Sequence, residues 1–412
     1  MGKRIAALVL AACMALPLFG CGSKLAAQSL TEGVTARTID THIDLTDDSS
    51  AVMDFAAALL QQTAGEEGVL LSPVSLLYAL GMTANGAAGT TLSQLEQATG
   101  MDRDTLNDYL YTYRMSLPEN TKKCKLSLAN SLWVRDIFRV EDSFLDNCVS
   151  YYDAEVYRSA FDEAMKNDLN HWVSKQTDGM IDKLLEQAPG ERTMLYLVNA
   201  VCFDAKWKKP YEKENIQKGA VFTAADGTRQ TADLLWSQES LYLSDDNTTG
   251  FMKYYDGGRY AFVGLLPNEG VSITDYVAGL TGGKLHALLN DPQHGTVEAA
   301  IPRFKASSSL ELSDALKAMG VTDAFDSAAA DLRAMGGAPN DQLYVSAVLH
   351  KTYLELDENG TKAAAVTAVV ADAGSAEPPE VHRVVLDRPF VYMIVDTHAN
   401  LPLFLGTVTT MS

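Results

Sequence analysis

The spacing of apolar residues changes character along the chain. Val52, Phe55, Ala56, Leu59 and Leu60 recur at helical spacing, with Ser49 or Ser50 placed to cap them. Gly68-Val69-Leu70-Leu71 predicts a short buried strand. Pro73 then opens a second helix at its first turn, where a missing N–H costs nothing. Thr90 to Thr99 reads as another helix, closed by Gly100. Leu126 to Val134 and Ala154 to Phe161 predict strands around a helix that starts near Glu141. Leu169 to Leu185 is amphipathic, with Trp172 on its apolar side.

The stretch from Thr193 to Trp207 is different. Met194, Leu195, Leu197, Val198, Ala200, Val201 and Phe203 are apolar at consecutive positions, which predicts a strand buried on both faces. From Tyr211 onward strands dominate, broken by turns at Asp226-Gly227 and Asp256-Gly257-Gly258. Leu310 to Gly320 reads as one more helix, and strands return at Leu343 to Leu356 and at Val381 to Val408. Helices lead and strands follow, so the fold class is α+β. No linker or internal repeat divides residues 48–412, which predicts a single domain. Residues 21–47 are Ser/Thr/Ala/Asp-rich with little periodicity and read as a flexible tether.

Composition adds exclusions. With 47% hydrophobic and 21% charged residues the chain is globular, not disordered. A net charge of −20 argues against nucleic acid or an anionic membrane surface as the main partner. No Lys/Arg-rich run exists to hold a heparin-like polyanion, and no cofactor is expected. Residues 1–20 read as a signal peptide: Lys3 and Arg4 precede an apolar run from Ile5 to Phe19 that is short for a bilayer. Leu18-Phe19-Gly20-Cys21 looks like a bacterial lipobox. That implies cleavage before Cys21, a thioether-linked lipid on it, and an extracellular protein held at the membrane by acyl chains alone. The alternative is an ordinary signal peptide with a chance cysteine. Cys124, Cys148 and Cys202 are then left, an odd number without CxxC spacing. A disulfide scaffold or metal site is not expected, and three buried free thiols are.

One segment stands out chemically. Residues 355–380 join two apolar strands, which is long for such a connection. From Thr361 to Ala371 only Lys362 is charged, and the other residues are small or β-branched. That composition suits a strand. In a strand, Thr361, Ala363, Ala365, Thr367 and Val369 would share one face, with Lys362 on the other. Small side chains would let the segment slot between existing strands without overpacking, and Gly360 supplies a tolerant pivot. An edge strand or a flexible lid is equally compatible with the composition.

The residues then match a family. Glu358-Asn359-Gly360-Thr361-Lys362-Ala363-Ala364-Ala365 resembles the inhibitory hinge of the serpins. Gly68 to Leu76, Gly86 to Gln94, Leu197 to Trp207, Ala300 to Lys305 and Asp387 to Val391 are similar to further serpin landmarks, in the family's order. The resemblance covers essentially all of residues 48–412. It implies three β-sheets flanked by about eight or nine helices, with an exposed reactive loop. It implies a monomeric suicide substrate for serine proteases, not an enzyme. On that resemblance the loop would be cut, form an acyl-enzyme and insert as a new strand, the strand addition and strain release known for the family. Ser72, Ser75, Asn199 and His350 fall where the family has a polar cluster beneath the parting strands, and Trp207 falls where the loop enters. Glu358, Gly360, Thr361, Ala363, Ala364, Ala365 and Thr367 carry over as the hinge, free of bulk or charge on the inserting face.

Counting forward from Gly360 as the family does places the reactive bond at Gly374-Ser375, within a window from Val370 to Glu377. Counting back from Pro389 lands near Pro378, because the loop is longer than usual by roughly four residues in comparison with the resemblance. The hinge count is preferred, since insertion length limits where the acyl bond can lie. Residues near the bond are small or acidic, which favours an elastase-like or subtilisin-like protease. A non-inhibitory serpin (a binding or chaperone-like protein, or a plain substrate) is the rival reading. An enzyme is disfavoured: neither a Gly-x-Ser-x-Gly elbow nor a His-Glu-x-x-His helix is present, and Gly279 to Lys284 only mimics a phosphate loop.

Overall fold

The computed structural model describes residues 25–41, 43–47, 49–338, 342–361 and 381–411. Among them are nine α-helices: α1 (Ser49–Thr63), α2 (Pro73–Gly86), α3 (Gly89–Thr99), α4 (Arg103–Ser116), α5 (Asp142–Tyr152), α6 (Glu163–Gln176), α7 (Ile273–Ala278), α8 (Gly282–Asn290) and α9 (Ser313–Ala318). Three sheets complete the α+β architecture.

The first sheet has seven strands. In spatial order they are β1 (Gln28–Ser29), β5 (Glu155–Ser159), β3 (Cys124–Arg135), β6 (Leu195–Lys206), β15 (Gly360–Thr361), β14 (Ala347–Leu356) and β12 (Phe304–Glu311). The second runs β16 (Val381–Val385), β11 (Gln293–Pro302), β8 (Arg229–Ser244), β9 (Thr248–Tyr254), β10 (Tyr260–Pro267), β17 (Phe390–Asp396), β18 (Leu401–Val408) and β2 (Leu70–Leu71), with β7 (Ile216–Thr223) also paired to β8. The third joins β4 (Arg139–Val140) to β13 (Gly336–Gly337).

Local sequence accounts for the elements near the site. Pro73 sits at the start of α2, which is buried along its whole length. Gly100 closes α3 in the left-handed conformation at φ 73°. Strand β6 is buried on both faces, as its unbroken apolar run predicts. One face meets the main core, where Leu195, Leu197, Val201 and Phe203 lie. The other meets a second cluster built on α6, in which Met165, Leu169, Trp172 and Val173 cover Tyr196, Val198 and Ala200.

Four expectations are corrected. Part of the expected tether is ordered: Gln28 and Ser29 pair antiparallel with Arg158 and Tyr157 on the edge of the first sheet. The Ala27 amide donates to Asp168 Oδ2 at 2.6 Å, and the Arg37 amide donates to Ser150 Oγ at 3.0 Å. An edge strand offers free backbone groups, and Leu25, Ala27 and Leu30 supply the apolar contacts that hold the segment there. Helix α6 begins and ends earlier than its periodicity suggests. Asp162 caps it by accepting from the Ala164 and Met165 amides, and Asp178 and Gly179 turn the chain away at positive φ. Leu310 and Glu311 belong to strand β12, with α9 confined to Ser313–Ala318. Finally, Cys148 and Cys202 are buried, but Cys124 is only half-buried.

Candidate functional site

Strands β6 and β14 form a parallel pair at the centre of the first sheet, matched from Ala347↔Tyr196 to Lys351↔Ala200. Beyond Lys351 the two strands diverge, and the hinge wedges between them. Gly360 and Thr361 pair antiparallel with Lys206 and Ala205, while Thr361 also pairs with Leu356. Two residues of the hinge are therefore already a strand. Among the described residues, 201–204 of β6 and 352–355 of β14 have no ladder partner on the side where they face each other.

The sequence enforces this seating. Asp357 makes a tight turn by accepting from the Asn359 and Gly360 amides at 2.7 and 3.2 Å. Gly360 sits at φ 154°, and a Cβ there would lie 2.1 Å from the Ala205 carbonyl oxygen, so only glycine fits. Trp207 holds the turn twice: its amide donates to the Asn359 carbonyl and its Nε1 to the Asp357 carbonyl, both at 2.9 Å. Its indole stacks on Tyr255 with centroids 4.4 Å apart. Thr361 is buried, with its hydroxyl 2.8 Å from that of Tyr255. Glu358 pairs with Arg303 at 2.7 Å, and both side chains are about one-third exposed (32% and 34%). Such a pair contributes on the order of 1 kcal/mol or less.

The four polar residues expected beneath the parting strands are brought together at the opposite end of the gap. His350 is 2% exposed, and burial pushes its imidazole down to about 4. The ring is thus neutral at physiological pH, and its Nε2 accepts from the Ser72 amide at 3.0 Å. Asn199 is paired with His350 across the β6–β14 ladder and donates its amide to Asn130 Oδ1 on β3. The hydroxyls of Ser72 and Ser75 and the amide oxygen of Asn199 are buried with no hydrogen-bond partner among the described residues. Each such group costs about 1–3 kcal/mol until it finds a partner. Ser308 and Thr352 tie Leu70 into the same region: Ser308 Oγ accepts from its amide at 2.9 Å and Thr352 Oγ1 donates to its carbonyl at 2.7 Å.

Ala363, Ala364, Ala365 and Thr367, the Gly374-Ser375 bond with its window, and Cys21 lie outside the described residues. Sequence reasoning missed Asp357, Arg303, Tyr255 and Asn130. Arg303 lay inside a segment already matched to the family, so its charge opposite Glu358 was the available signal. Tyr255 and Asn130 carried none, since only the fold brings them to the hinge and the cluster. Among the described residues no group of His, Cys, Asp and Glu is arranged to hold a metal ion.

Comparison with known proteins agrees with this geometry. The family model described as "Serpin (serine protease inhibitor)" matches residues 50–411. A relative named neuroserpin from Gallus gallus is 29% identical, covering 83% of this chain and 86% of its own. Serpin B9 from Homo sapiens is 31% identical, covering 87% of this chain and 98% of its own. Among solved structures, the native state of the thermophilic serpin tengpin superposes with a TM-score of 0.88 at 39% identity, covering 93% of this chain and 100% of that one. The latent state of the same protein gives a TM-score of 0.79, covering 91% of this chain and 100% of that one. The chain belongs to the serpin family, whose members are in general protease inhibitors and not catalysts.

Proposed function

We propose that this protein is a suicide-substrate inhibitor of elastase-like or subtilisin-like serine proteases. The observation that carries the reading is the seated hinge: Gly360 and Thr361 already occupy the first two positions of a strand between β6 and β14. Carried forward in that register, Ala363 would come opposite Phe203 and Leu354, and Ala365 opposite Val201 and Thr352. Small residues would meet large ones, which suits insertion into a packed core. Thr367 would come opposite both Asn199 and His350, bringing a hydroxyl to the buried polar groups that lack a partner among the described residues. Ala371 would reach Leu195, the end of β6.

The exchange is favourable in kind. Insertion breaks five parallel pairs and replaces them with antiparallel ladders on both sides, the slightly stronger arrangement. Ten residue steps move the chain by about 34 Å at ~3.4 Å per residue. A protease esterified at Gly374 would be carried that far before it could deacylate. The alternative cut near Pro378 would leave it less tightly drawn against the sheet. Cys21, lipidated, would hold the inhibitor at the outer surface of a membrane.

The test is to mix the protein with elastase-, subtilisin-, chymotrypsin- and trypsin-type proteases and run denaturing gels. A band at the summed mass supports the trap and identifies the class of target. Clean loop cleavage by each protease without that band overturns it in favour of a non-inhibitory serpin.

A further inference from the structure

A polar cleft of about 320 Å³ opens beside the hinge, lined by Lys208, Lys209, Glu239, Lys253, Tyr254 and the Gly295–Thr296 backbone, with Gln238 and Ser240 at its rim. Three lysines face one carboxylate there, an excess of two positive charges on a chain whose net charge is −20. Lys253 forms the floor. It is 2% exposed, bonds Glu239 Oε1 at 2.8 Å, and lies 4.4 Å from the Tyr211 ring and 5.4 Å from the Trp207 ring. Burial pushes its ammonium down, Glu239 opposes that, and the nearby Lys209 charge lowers it further. Neither Lys208 nor Lys209 makes an ion pair among the described residues, and Lys208 rests over Tyr254 at 5.9 Å.

The opposite wall is a β-bulge. His294 pairs with Leu241 and Val297 with Glu239, so Gly295 and Thr296 oppose the single residue Ser240. A bulge releases backbone groups from the ladder and turns them outward. Here Gly295 and Thr296 line the same cleft as the lysines, and Thr296 takes its ladder partner from Val381 instead. We propose that this cleft is an oxyanion site for a phosphate or sulfate group. Lys208 and Lys209 grip it from the rim, and Lys253 supplies charge from below. The site adjoins both ends of the reactive loop: Thr296 pairs with Val381, and the Trp207 and Tyr211 amides bond the Asn359 and Glu358 carbonyls. An anion above Lys253 therefore alters the field at Trp207, so binding is read in indole fluorescence. This goes beyond the inhibitory reading and does not depend on it.

The experiment is a titration of the protein with inorganic phosphate at constant ionic strength held by chloride, followed by calorimetry and by indole fluorescence. The double variant Lys208→Ala/Lys209→Ala removes two exposed side chains, and Lys122→Ala/Lys218→Ala removes the same charge elsewhere. The expected result is saturable binding by the wild type and the control, weakened about tenfold for each lysine removed from the cleft, the scale of one charge-assisted hydrogen bond. A free anion and the same group on a polymer share this chemistry. A short polyphosphate run in parallel separates them, with tighter binding marking a polymeric ligand. No saturable binding, or binding weakened equally by the control pair, overturns the site.

Discussion

Replacing Thr361 with arginine tests the insertion mechanism most directly. Thr361 is 1% exposed and faces the core beneath Trp207 and Tyr255, and β-strand alternation puts every second residue of an inserting segment on that same face. An unpaired guanidinium buried there costs about 3–5 kcal/mol. The resting variant escapes this cost by expelling the seated turn, so insertion has to bury the guanidinium afresh; with half of that cost felt at the insertion barrier, about 2 kcal/mol, insertion slows roughly thirtyfold while acyl-enzyme hydrolysis is untouched. The ratio of hydrolysis to insertion rises by the same factor, and so does the excess of inhibitor consumed per protease trapped. The assay is a titration of residual protease activity against inhibitor, with the covalent complex and the cleaved loop quantified on denaturing gels. Lys362→Arg is the control, since it keeps the charge already there and strand alternation would put that charge on the other face. Thr361→Arg inhibiting with wild-type stoichiometry and full covalent yield would refute the reasoning.

Three further outcomes are expected. His350 is held neutral when folded at about 4 but titrates near 6.5 when unfolded. The unfolded chain therefore binds the extra proton, and stability complete above pH 6.5 is lost as pH falls toward 4, by up to about 3 kcal/mol. Melting curves of the wild type should fall more steeply across that window than those of His350→Gln, and parallel curves would contradict the assignment. Gly360→Ala should expel the hinge, because its Cβ meets the Ala205 carbonyl at 2.1 Å, and should shift Trp207 emission toward that of an exposed indole. An unchanged spectrum would count against the seated turn. Mass spectrometry of the C-terminal peptide released by elastase should place the cut between Gly374 and Ser375, and a cut outside Val370 to Glu377 would sink the hinge count.

What the sequence determined was local. Pro73 and Gly100 bound their helices because a missing N–H and a left-handed residue are tolerated only at those positions. The unbroken apolar run of β6 announced a strand buried on both faces. Family landmarks in order supplied the rest, down to the meeting of Ser72 and His350 across 278 residues. Only tertiary structure decided the non-local partners. Tyr255 reaches Thr361 because β9 ends beside the hinge, and Asn130 reaches Asn199 because β3 neighbours β6. The segment read as a tether lies on β5 because an edge strand offers its backbone to whatever chain lies beside it. Lys208, Lys209 and Lys253 form one cleft although no basic run marks it. Local periodicity records which face of an element is buried, whereas the partner on that face is fixed by the packing of distant elements.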